Sequence, residues 1–194
     1  MCRVAFVLCL LFGYGLAWGQ PTAYESFEDG VPAYFTAARA GSLSHSPWHS
    51  KHGQKSLRWE WSRGEDLVIR HGIGDASRVG GFLCKASFVV WVYQEKPSAG
   101  ALVFEFREGE QVAGSFPFPL QFTGWRQARV FYDEFPNGKP TSQVDNLRVS
   151  APRDVASGVV YLDALGYNLF TYYSASILPR SEEHTSELQS HHPI

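Results

Sequence analysis

Leu57, Trp59 and Trp61 interleave with Ser56, Arg58 and Glu60, the alternation of a strand that buries one face and wets the other. Ser62-Arg63-Gly64 interrupts it as a turn, and Leu67-Val68-Ile69-Arg70 resumes it. Phe88-Val89-Val90-Trp91-Val92-Tyr93 is apolar on both faces, which predicts a central strand covered on two sides. Glu95 to Gly100 reads as a turn, so Ala101 to Phe106 is expected to return as the antiparallel neighbour of that strand. Trp125 to Tyr132, Val144 to Val149 and Val159 to Leu165 complete the set. The breaks between them hold Pro136-Asn137-Gly138 and Ala151-Pro152-Arg153, both turn chemistry. Short strands at this spacing, with no helical period between them, predict an all-β sandwich.

The two ends follow other rules. Met1 to Gly19 carries one cation, Arg3, then an apolar run from Val4 to Phe12, and closes on Ala17-Trp18-Gly19. That run is too short for a bilayer span, so it reads as a signal peptide cleaved between Gly19 and Gln20. The mature chain is then expected outside the cytoplasm, secreted or periplasmic, with no membrane anchor. From Arg180 to Ile194 the sequence resembles the conceptual translation of a sequencing-library adapter rather than a protein element. It is set aside as an artefact, and the natural chain is expected to continue beyond Pro179. Residues 20–179 are expected to form one domain.

Charge and cysteines narrow the chemistry. The 17 Lys and Arg against 19 Asp and Glu give a net charge of −2, no basic field for nucleic acid or an anionic membrane. Cys2 and Cys9 fall in the leader, so Cys84 has no intramolecular partner and the core, helped by a metal, has to hold the domain. Cys84 beside Phe82-Leu83 reads as a small core residue. His45, His49 and His52 have metal-like spacing, but Pro47 between them disfavours the helix that would bring them together, and a polar loop is the better reading. Glu105, Glu108 and Glu110 read as a solvated face. Neither a nucleophile elbow nor a phosphate-cradling glycine loop is present in the sequence. Arg58, Arg70, Arg126 and Arg148 alternate away from apolar neighbours, and on one outward face they would meet an acidic polysaccharide. Glu60 and Glu105 hold comparable positions, so a merely mixed charged face is the alternative.

Five segments, taken together, resemble the N-terminal domain of the chondroitinase ABC-type lyases, polysaccharide lyase family eight. They are Tyr24-Glu25-Ser26-Phe27-Glu28-Asp29-Gly30-Val31-Pro32, His52 to Trp61, Phe88 to Pro97, Phe122-Thr123-Gly124-Trp125-Arg126 and Val155 to Asp163. The resemblance implies a jelly-roll sandwich of the galactose-binding-like, carbohydrate-binding-module type. In the family it precedes an α/α-toroid that cleaves chondroitin and dermatan sulfates by β-elimination. That toroid is absent here, so no catalytic residue is carried over and the chain alone is expected to be inert. Its expected role is to guide polysaccharide to a catalytic domain in cis; the alternative is a packing domain with no sugar affinity. The resemblance further implies a structural Ca²⁺ or Na⁺, held by main-chain oxygens of Ser26, His52, Lys55 and Arg58 and by the Asp163 carboxylate. One point is independent of it: a carboxylate on the face of Val159 and Tyr161 is costly to bury without a partner.

Overall fold

In a computed structural model, residues 25–71, 86–135 and 143–170 are described. The expected leader, the tail from Arg180, Cys84 and the Pro136-Asn137-Gly138 turn lie outside the described residues. The strands are β1 (Phe35–Ala37), β2 (Leu43–Ser46), β3 (Ser56–Ser62), β4 (Asp66–Ile69) and β5 (Ala86–Gln94). They continue with β6 (Ala101–Glu108), β7 (Gln111–Pro119), β8 (Gly124–Phe131), β9 (Asn146–Ser150) and β10 (Ser157–Phe170). They form two five-stranded sheets, ordered β1-β4-β9-β6-β7 and β2-β3-β10-β5-β8, with antiparallel pairings. This is the expected jelly-roll sandwich.

The core lies between the sheets, where the alternation in sequence becomes packing. Leu57, Trp59 and Trp61 on β3, Phe88, Val90 and Val92 on β5, and Val160 and Leu162 on β10 face Leu67, Ile69, Leu102, Phe104, Phe106, Leu147 and Val149 of the other sheet. Phe88 meets Phe106 edge-on at 5.3 Å across that interface. Gly158 stands opposite Trp61, and a β-carbon there would come within 2.2 Å of the buried indole. The glycine makes room for the largest side chain in the core.

One expected pairing is corrected. Ala101–Phe106 forms β6 as foreseen, but β6 belongs to the first sheet, between β9 and β7, and is not the neighbour of β5. The connection from Glu95 crosses from one sheet to the other, with Ser98 N donating to Leu120 O at 2.9 Å and Leu120 N to Gly100 O at 3.1 Å. A turn signal gives the end of a strand but not the sheet to which the chain returns. Strands β1, β2 and β7 escaped the sequence reading for local reasons. β2 is polar (Leu-Ser-His-Ser), and β7 carries Pro117 and Pro119, which an edge strand tolerates because it pairs on one side.

Candidate functional site

Asp163 is fully buried on the outer face of the second sheet. The β10–β5 register slips between Asp163 and Gly166, and Ala164 takes a left-handed φ of 47°. This bulge lets the carboxylate gather amides. Asp163 Oδ2 accepts from Lys51 N at 2.7 Å and His52 N at 2.9 Å, and Oδ1 accepts from Ala164 N at 2.7 Å. Burial outweighs those amide bonds and pushes the carboxyl up to about 6, with the nearby Glu28 charge adding to the rise.

The β2–β3 loop, residues 47–55, is thus tied to the sheet at one end. Glu28 ties the other: its Oε1 accepts from Gln54 N and Lys55 N, both at 2.9 Å. Gly53, at φ +68°, leaves room for that carboxylate, which a β-carbon would meet at 2.3 Å. Phe27 (φ 59°), His49 (φ 56°) and Ala164 are the non-glycine residues with positive φ among the described residues, and they lie in the segment, the loop and the bulge that converge here. Strained backbone of this kind persists where the surroundings over-determine it, as at ligand clamps.

Along the same outer face runs a row of side chains set by register. Arg58, Tyr161, Tyr93 and Trp125 stand opposite one another on β3, β10, β5 and β8. Tyr93 lies 5.9 Å from Tyr161 and 5.3 Å from Trp125, both edge-on. His49 reaches down from the loop to stack on Tyr93 at 3.9 Å, and Lys51 Nζ sits 4.2 Å over Trp91 in the next row. Val89, Trp91 and Ala164 make a small second cluster beneath, with Trp125 against it.

Of the expected cation ligands, Ser26, His52 and Lys55 lie on the two segments that converge on Asp163. Arg58 lies on β3, its main chain flanked by Ser44 on β2 and Tyr161 on β10. Among the described residues no three His, Cys, Asp or Glu side chains are grouped to hold a metal, so a site here would have to be rich in main-chain oxygen. A buried carboxylate beside a second carboxylate fits a hard, oxygen-seeking cation. The three histidines take separate tasks, and only His49 and His52 lie in the loop, since His45 is on β2. His45 Nε2 bonds Phe27 O, His49 stacks on Tyr93, and His52 gives its backbone amide to Asp163.

The four arginines expected to share a face do not. Arg58 is on the outer face of β3, paired with Glu60 at 3.1 Å. Arg126, on β8, lies over the Phe122 ring at 5.2 Å; it is opposite the inward Val92, on the other side of the strand from Trp125. Arg70 follows β4 and Arg148 is on β9, both of the other sheet, with Arg148 Nε 3.8 Å from Asp66. Alternation tells which residues point outward but not which of two outsides they reach. The aromatic row was missed for the same reason, although Tyr93 and Trp125 sat in segments already singled out. Glu28 gave no short-range signal, since its partners are more than 25 residues away.

Two five-stranded antiparallel sheets, one of them strapped by the β2–β3 loop, define an all-β jelly-roll module. The sequence matches the family model described as "Lyase, N terminal" over residues 22–172, and the chain belongs to that family. It is 34% identical over 143 residues to a chondroitin sulfate ABC exolyase of Bacteroides thetaiotaomicron, a match covering 72% of this chain and 14% of that protein. A chondroitin sulfate ABC exolyase of Proteus vulgaris is 30% identical over 139 residues, covering 72% and 14%. The chain therefore spans about one seventh of these relatives' length. Among solved structures, an arabinose-bound α-L-arabinofuranosidase superposes with a TM-score of 0.51 at 13% identity, covering 73% of this chain and 25% of that one; this likeness is one of fold.

Proposed function

We propose that the chain is a non-catalytic, polysaccharide-guiding module of a secreted chondroitin- or dermatan-type lyase. The single observation that supports this is the outer face of the second sheet, where Arg58 and the half-buried Tyr93 and Trp125 share one register, with Tyr161 buried between them at 6% exposure. Aromatic rings offer flat apolar area to the CH faces of pyranoses, and a guanidinium takes a uronate or sulfate. Chondroitin sulfate, named in the relatives at 34% and 30% identity, has both features. Chemistry on the polymer belongs to a catalytic domain in cis. Asp163, with main-chain oxygens of Ser26, His52, Lys55 and Arg58, is proposed to hold a structural Ca²⁺ or Na⁺; its chemistry would be to neutralise the buried carboxylate and fix the loop.

The test has two arms. Affinity electrophoresis of the chain in gels containing chondroitin sulfate should show retardation, and Trp125→Ala should lose most of it. Incubation with the polymer should produce no ultraviolet absorbance from unsaturated uronate. Migration unaffected by the polymer would favour the packing-domain alternative, and turnover above a blank would overturn the non-catalytic reading.

A further inference from the structure

Trp48 is 70% exposed on the β2–β3 loop, while the two serines that hold its main chain are buried. Trp48 N donates to Ser46 Oγ at 3.1 Å, and Trp48 O accepts from Ser56 Oγ at 3.1 Å. Ser46 and Ser56 are 3% and 0% exposed, so the clamp on the Trp48 backbone is built into the sheet. One residue later, His49 is committed to Tyr93, and further on Asp163 and Glu28 fix the amides of Lys51, His52, Gln54 and Lys55. A loop tied at so many points cannot fold its apex inward to hide an indole. Leaving a large aromatic in water forgoes about 2 kcal/mol of burial. With the backbone clamped, only the two side-chain torsions of the indole remain to be fixed on binding, a small entropic cost.

The charge around it selects a partner. From Ser44 to Arg58 the sequence holds Lys51, Lys55, Arg58 and three histidines and contains no Asp or Glu. Of the carboxylates that face this stretch, Glu28 and Asp163 bond its amides, Glu60 pairs with Arg58 at 3.1 Å and Glu95 lies 3.4 Å from His49. A presented indole in a locally cationic stretch is complementary to an anionic sugar chain: apolar ring faces for the indole, carboxylates and sulfates for the field.

We infer that Trp48 is a sugar-stacking residue of this module and that the β2–β3 loop is a contact site for an anionic polysaccharide, extending the Arg58–Trp125 row. This rests on the polysaccharide-guiding reading above and adds a residue and a ligand charge class to it.

The experiment titrates the chain with a chondroitin sulfate hexasaccharide, following indole fluorescence, and repeats it with neutral dextran of similar length. Trp48→Ala should weaken hexasaccharide binding about tenfold, with Trp48→Phe closer to the parent chain. Because the side chain is exposed, both variants should keep the parent melting midpoint, which separates lost contact from lost fold. Parent binding unchanged by Trp48→Ala overturns the inference while leaving the broader reading standing. No binding by the parent chain removes both. Equal affinity for dextran overturns the anionic class. A change of sedimentation coefficient in Trp48→Ala, with sugar affinity unchanged, would make Trp48 a protein contact instead.

Discussion

The two outer faces of the sandwich are made by the same alternation and end up chemically opposite. On the first sheet the outward polar and charged positions, set among Val68 and Val103, satisfy one another. Ser150 Oγ donates to Asp66 Oδ1 at 2.6 Å, Arg148 sits beside Asp66, and Arg107 pairs with Glu105 at 2.8 Å. On the second sheet the outward positions are Tyr161, Tyr93, Trp125 and Trp91, under a loop held by two carboxylates. A folding requirement alone needs only the first kind of face, because a solvated surface of small ion pairs is stable and soluble. Tyr161 and Trp91 are buried beneath the strapped loop, at 6% and 8% exposure, and Tyr93 and Trp125 are the half-buried rings of this face. The difference is the reason for placing the proposed polysaccharide contact on one side of the molecule.

The largest effect expected is at the strap. Asp163→Ala removes the acceptor from three amides in a fully buried place. Unmet buried donors cost about 1–3 kcal/mol each, partly offset by relief of a buried charge, so a net loss of about 3 kcal/mol is expected. That corresponds to a drop in melting midpoint of roughly 10 °C. Arg148→Gln on the opposite face is the control for this measurement. A midpoint for Asp163→Ala within a degree or two of the parent would mean that the loop is not held by this carboxylate.

The pH dependence of that strap reports on the proposed cation, and its sign can be worked out. Without a cation, the fold holds the Asp163 carboxyl at about 6, above its ordinary 3.8, because burial disfavours the charge. Between those values the folded chain binds a proton that the unfolded chain releases. The group's contribution to stability therefore falls as pH rises through the window, by about 3 kcal/mol over its full width. A bound cation favours the carboxylate, moves the folded value below the unfolded one and reverses the slope, so that stability is lost on acidification. Melting midpoints of the parent and Asp163→Asn, compared from pH 4 to 7, isolate this group. In potassium buffer with chelator the parent should lose ground to Asp163→Asn as pH rises. In Ca²⁺ or Na⁺ buffer that loss should vanish over this range, because the window of the cation-bound carboxylate lies below pH 4. A slope of the same sign in all three buffers would remove the cation from the account.

How much of this was legible beforehand follows from the range of each interaction. The inward faces of β3, β5 and β10 could be read from Leu57-Arg58-Trp59-Glu60-Trp61 and its like, because alternation is local and burial enforces it. The sheet to which β6 belongs could not be read, since the crossover after Glu95 is decided by packing far along the chain. Asp163 stood out as a carboxylate on an apolar strand, but its partners Lys51 and His52 lie more than 110 residues away. The arginine face failed for a related reason. Arg58 and Arg148 each obey the outward rule, yet β3 and β9 lie in different sheets. Trp48 was passed over inside a polar loop, because nothing in Ser46-Pro47-Trp48-His49 says that the indole stays in water.

The smallest effect expected is on the plain face, and it sharpens the contrast most directly. Arg148 lies opposite Val68 and Glu105, with its guanidinium 3.8 Å from Asp66 and both side chains about one third exposed. Half-exposed pairs of this length contribute about 0–1 kcal/mol, so Arg148→Gln should shift the melting midpoint by no more than a few degrees. Its hexasaccharide affinity should equal that of the parent chain, because the first sheet presents no ring row beside it. Raising the salt concentration should weaken sugar binding to the parent and to Arg148→Gln in parallel, since the charges that meet the ligand lie on the other side of the sandwich. A loss of affinity in Arg148→Gln matching that of Trp125→Ala would break the comparison, for it would place the polysaccharide across the face where Arg148 pairs with Asp66.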